Sequence, residues 1–202
     1  MSQPFNTQSE VPALRELDED KGEFWVGNPF AFSYVNENLS SYERNGSFLN
    51  LGDGDFVDMS YLTGTDNPGD ARTVIGCDIT RDGMPELILR QVGGGPLVVY
   101  ENRFPKTNWL TVTLRGDKSN HFGIGSRIIC ETDTGTIQKE LFPIVNFLSQ
   151  APSRAEFGIG KAEIIKKLTV KWPSGHETIL ENVDPNRHIR VHEADNSIEL
   201  VY

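Results

Sequence analysis

The chain has 202 residues, with 19 lysines and arginines against 29 aspartates and glutamates, for a formal net charge of −10. That balance excludes nucleic acid and anionic membrane surfaces as partners, since both reward basic patches, and no apolar run approaches the roughly 20 residues of a membrane helix. A chain of this length buries roughly 70% of the surface it exposes when unfolded, so it needs neither disulfide nor metal to fold.

Residues 1–23 read as a flexible acidic arm with a helical turn at Pro12–Leu17. Its acid run, Glu16-Leu-Asp-Glu-Asp20, is a solubilising tail or a solvated face. The first eight residues have no basic start and no apolar stretch, so no signal peptide is read. Ordered structure is expected from Phe24, where Phe24-Trp-Val26 and Phe30-Ala-Phe-Ser-Tyr34 are aromatic and strand-like. Sequons stand at Asn38-Leu-Ser and Asn45-Gly-Ser, relevant only in a secretory pathway.

From Phe24 to the C-terminus short apolar runs alternate with turn signals, the pattern of an all-β protein. Residues 24–107 are rich in Gly, Asn and Asp and include Gly93-Gly-Gly95; a boundary is expected near Pro105-Lys106. The segment holds the best candidate for bound chemistry, Asp78-Ile-Thr-Arg-Asp-Gly83 followed by Glu86. Calcium takes several oxygens from a short, sharply turned loop, and glycine permits the turn. The candidate ligands are Asp78, Thr80, Asp82 and Glu86, with Thr80 where Asp or Asn is usual. The competing reading is a cation-free turn held by its own side-chain hydrogen bonds. A second acidic loop, Asp53-Gly-Asp55 with Asp58, reads as a solvated turn.

Residues 108–202 alternate cleanly. Leu110, Val112 and Leu114 share one strand face; so do Leu168, Val170 and Trp172, with Lys167, Thr169 and Lys171 opposite; and Ile189 with Val191. One buried and one wet face is expected for each strand. Asp133-Thr-Gly135 reads as a hairpin loop and Trp172-Pro-Ser-Gly175 as a turn between antiparallel strands. His188 and His192 would lie ~13 Å apart along a strand, too far to share an ion, and read as surface histidines. Cys77 and Cys130 are either one bridge or two free thiols. Gly123-Ile-Gly125 and Gly158-Ile-Gly160 lack the third glycine and the βαβ setting of a dinucleotide site. No nucleophile elbow and no evident acid–base pair appears, so no catalytic residues and no enzyme activity are read.

The second half carries a series of short motifs in order: Asn108-Trp-Leu-Thr-Val-Thr-Leu-Arg-Gly116, Ser119-Asn-His-Phe-Gly-Ile-Gly-Ser-Arg127, Phe147-Leu-Ser-Gln150, Phe157-Gly-Ile-Gly160, Leu168-Thr-Val-Lys-Trp-Pro-Ser-Gly175, and Val191-His-Glu193. Together they resemble the ASPIC/UnbV domain of the cartilage acidic protein family, with His121 where that family usually has Arg. In the first half, Glu43-Arg-Asn45, Phe48–Phe56, Asp70-Ala-Arg72 and Asp78–Leu87 resemble an FG-GAP/VCBS-type repeat. The resemblance implies a propeller-type repeat, here too short to close a propeller, calcium at Asp78, Thr80, Asp82 and Glu86, and an extracellular or cell-surface setting.

The expected architecture is therefore an all-β chain. An antiparallel β-sandwich-like domain spans 108–202, and a short partial propeller-type repeat at 24–107 packs against it. The expected function is a non-enzymatic binding or adhesion-type module, stiffened by calcium, that recognises a protein or glycan partner. Two rival readings are a structural or assembly subunit that uses exposed sheet edges, and a biosynthetic enzyme with a site outside known motifs.

Overall fold

The computed structural model describes residues 44–202 except 70, 92–95, 145, 147 and 148, and only the backbone of Arg72. The acidic arm, the aromatic stretch 24–34, the Asn38 sequon, the Gly93–Gly95 run, Asp70 and Phe147-Leu148 lie outside the described residues. What is described is nearly all β, as the turn spacing predicts. Two compact units form. One takes the described residues as far as Arg72 together with those of Arg90–Leu97; the other takes Thr73–Leu89 and Val98–Tyr202.

In the first unit, β1 (Phe48–Gly52) and β2 (Asp55–Asp58) make an antiparallel two-stranded ribbon. The reversal is built from Asp53 and Gly54, both at positive φ, the conformation a tight hairpin turn demands. Asp53 and Asp55 thus belong to a hairpin. Asp58 Oδ1 accepts the Ser60 N–H (2.9 Å) and hydroxyl (2.5 Å), which ties the ribbon to a single helical turn, α1 (Ser60–Thr63).

The second unit contains a three-stranded sheet, β3 (Ala71–Cys77), β4 (Glu86–Gln91) and β5 (Val98–Tyr100), two of whose strands begin or end in the other unit. It also contains two four-stranded sheets. One has the order β11 (Glu177–Val183), β10 (Ile165–Lys171), β7 (Arg127–Glu131), β8 (Thr136–Glu140). The other has the order β13 (Ile198–Leu200), β12 (Arg187–His192), β6 (Asn108–Arg115), β9 (Ala155–Gly160). The turn at Asp133–Gly135 joins β7 to β8, and Trp172–Gly175 joins antiparallel β10 and β11, both where the sequence places them. One pairing departs from the antiparallel expectation: β6 and β12 run parallel. Parallel neighbours need a crossover, and the chain makes it by building the opposite sheet in between.

The alternating residues of the two four-stranded sheets meet in one core. Leu110, Val112, Phe157, Ile189 and Val191 come from one sheet, Ile128, Cys130, Leu168 and Val170 from the other, and all are 0–2% exposed. Each such side chain contributes about 1.5–3 kcal/mol when fully buried. The domain is thus sandwich-like. The expectation of a wet outer face fails along the middle of the β12-β6-β9 sheet. Thr111, Trp109 and His188 lie on that side and are 2%, 8% and 6% exposed. Part of their cover comes from the loop after β3: the Gly83 backbone sits directly on the Trp109 indole. His188 is consequently a buried histidine, a correction to its reading as a surface residue. Both cysteines are free thiols.

Candidate functional site

Asp78, Thr80 and Asp82 fall on the loop between β3 and β4, and Glu86 is the first residue of β4. Asp78 and Glu86 are buried, at 5% and 4% exposure. Asp78 Oδ1 accepts the Asp82 N–H (3.1 Å) and Oδ2 accepts the Gly83 N–H (3.0 Å). Glu86 Oε2 accepts the Ile79 N–H (2.8 Å). Asp82 Oδ1 accepts the Met84 N–H (3.1 Å) and the Thr80 hydroxyl (3.0 Å), and Asp82 Oδ2 pairs with the Lys106 ammonium at 3.1 Å. That lysine chiefly holds the Asp82 carboxyl below its ordinary range. The loop has the fixed turn a cation loop needs, but its carboxylates are committed to backbone amides and to Lys106. Calcium takes six to eight oxygens. Among the described residues no three His, Cys, Asp or Glu side chains gather closely enough to hold a metal ion. As placed, the four residues do not fit calcium.

Beside this loop lies an open groove of about 510 Å³. Its walls come from the start of β6, the residues after β9 and the residue before β12, three neighbouring strands that end at one edge of the sandwich. Two asparagines are locked there. Asn186 Nδ2 donates to Asn108 Oδ1 (2.9 Å), Asn108 Nδ2 donates to the Ala162 carbonyl (3.0 Å), and the Trp109 N–H donates to Asn186 Oδ1 (3.2 Å). Asn186 holds positive φ, which asparagine tolerates better than most residues. The Asp82–Lys106 pair forms one wall. Lys161 and Glu163 line another and are both exposed.

Two further buried polar groups hold distant segments in ways not legible from sequence. Glu193, 4% exposed, follows β12 and accepts the Asp117 N–H (2.7 Å), the Ser119 N–H and hydroxyl (both 2.8 Å), and the Ser174 hydroxyl (2.5 Å). Burial pushes its carboxyl up, but these donors outweigh burial and bring it down to about 2. The carboxylate thereby pins the loop after β6 to the β10–β11 turn. On the covered sheet face, His188 Nε2 meets Thr113 Oγ1 at 3.1 Å, and its ring stands edge-on to Tyr202 at 4.8 Å. Burial, aided by Arg154 and Arg190 and opposed by Asp78, lowers the imidazole to about 4. Arg154 pairs with Glu156 at 2.6 Å and donates to Cys77 Sγ at 3.7 Å. Burial raises the Cys130 thiol to about 11, so it stays protonated in the core.

The fold and its edges define a class of protein: a β-sandwich-like domain with a polar groove at one end of its strands. Residues 116–198 match the family model described as ASPIC and UnbV, so this segment is an ASPIC and UnbV domain. The match takes in β7–β12 and Glu193, with Lys161, Glu163 and Asn186 of the groove; Asp82, Lys106 and Asn108 lie ahead of it. None of the curated proteins matches the chain.

Proposed function

We propose that the protein is a non-enzymatic binding module that holds a protein or glycan partner in the groove beside the start of β6. The observation that carries this reading is the state of the groove's polar groups. Asn108 and Asn186 are locked by their own hydrogen bonds, so they offer their remaining amide donor and acceptor capacity in fixed orientations, without reorganisation. Preorganised polar walls lower the ordering cost of binding. Lys161 and Glu163 add one exposed charge of each sign, which suits a polar partner better than a strongly charged one. Among the described residues no helix is long and apolar enough to cross a membrane.

The finer readings belong here too. Residues 24–107 are read as a repeat region of FG-GAP/VCBS type, the whole chain as a relative of the cartilage acidic proteins, and its setting as extracellular or cell-surface; the ordered motif series supports them. The test is a glycan array and a pull-down with the full chain, beside the double variant Lys161→Glu/Glu163→Lys. The expected result is a ligand bound by the wild type and weakened at least tenfold by the double variant, with an unchanged melting temperature. Binding that the double variant leaves intact would move the site away from the groove.

A further inference from the structure

Among the described residues the β1–β2 ribbon has only two strands, and neither pairs with a third. An isolated pair of this kind is marginal in water. Its register sorts the side chains onto two faces. Leu49, Leu51 and Val57 share one, 40%, 63% and 38% exposed, and Phe48 and Phe56 share the other, 65% and 61% exposed. Five large apolar side chains on eleven residues mark a surface that another segment covers.

The chemistry of the ribbon narrows the occupant. From Phe48 to Asp58 it carries three aspartates and no basic residue, so a second copy of the ribbon would set acid against acid. The chain itself supplies a neutral alternative. Residues 24–35, Phe-Trp-Val-Gly-Asn-Pro-Phe-Ala-Phe-Ser-Tyr-Val, contain no charge and six large apolar or aromatic side chains before Val35. Phe30, Phe32 and Tyr34 recur every second residue, the period that puts side chains on one face of an extended segment. The twelve residues 36–47 join this segment to β1 and span up to about 40 Å when extended, more than twice the ~17 Å length of a five-residue strand. We propose that residues 24–35 of the same chain dock on the β1–β2 ribbon and cover its apolar surface.

Trp25 provides the probe, since Trp109 and Trp172 are buried in the other unit. The Trp25 contribution is the emission of the full chain minus that of Trp25→Phe. Docking predicts a blue-shifted signal, protected several-fold from acrylamide, and independent of protein concentration. Leu51→Asp or Phe56→Asp, exposed positions on opposite faces, should shift the signal red and abolish the protection, and show which face is covered. Trp25 as accessible as free indole in the wild type would overturn the proposal without any variant. So would a Trp25 signal unmoved by both substitutions. Protection that grows with concentration alongside a dimer in light scattering would give the surface to a second copy instead.

Discussion

Glu193 and His188 make the stability of the sandwich depend on pH in two adjoining windows. Glu193 is lowered from an ordinary 4.5 to about 2 in the fold, so its contribution is complete above about 4.5 and is lost as pH falls towards 2. His188 is lowered from 6.5 to about 4. The unfolded chain therefore takes the proton first, and stability falls as pH drops from about 6.5 towards 4. Both slopes have the same sign. Urea unfolding between pH 2.5 and 8 should show them, with Glu193→Gln flattening the lower window and His188→Gln the upper. At pH 7, Glu193→Gln should also cost about 1–3 kcal/mol, because the buried amide nitrogen replaces an acceptor where four donors converge. Neither role was legible in the sequence. His188 follows the alternation that places it on an outer face, and that face is covered by residues some hundred positions earlier. Glu193 stood only as the end of a motif, since its partners come from two distant loops.

Local alternation and turn chemistry carried β6, β10 and β12 and the turns at Asp133–Gly135 and Trp172–Gly175, because strand period and turn residues act over a few positions. The parallel pairing of β6 with β12 is set by a crossover through a whole second sheet, and no local pattern records it. The glycines show the same division. Gly83 and Gly158 look alike in sequence, yet Gly83 holds φ +82 and a Cβ there would lie 2.1 Å from the Trp109 ring. A Cβ on Gly158 meets nothing within 4 Å. Gly83→Ala should destabilise by about 2–4 kcal/mol through strain and overpacking, and red-shift the Trp109 emission as the indole loses its cover. Gly158→Ala should fold with stability within about 1 kcal/mol of wild type. Equal effects of the two substitutions in thermal melts would mean that the Asp78 loop does not pack on β6 in solution.

For the molecule as a whole, what fixes the Asp78 loop decides whether stability responds to calcium. The loop's acids are spaced like those of a calcium loop except at Thr80, and the sequence alone leaves both readings standing. The side chains weigh against calcium. Asp78 offers both oxygens to amides of its own loop, Glu86 offers one to Ile79, and Asp82 divides between Met84, Thr80 and Lys106. A calcium ion would have to draw several of these oxygens together and displace Lys106, repaying hydrogen bonds worth about 0.5–1.5 kcal/mol each. The full chain, freed of metal with a chelator, should therefore melt at the same temperature with and without roughly millimolar calcium. Sodium chloride matched for ionic strength serves as the control, since screening alone stabilises a chain of net charge −10. A calcium-specific rise of several degrees, lost in Asp78→Asn, would show that the loop rearranges around the ion and that Lys106 is a stand-in for it.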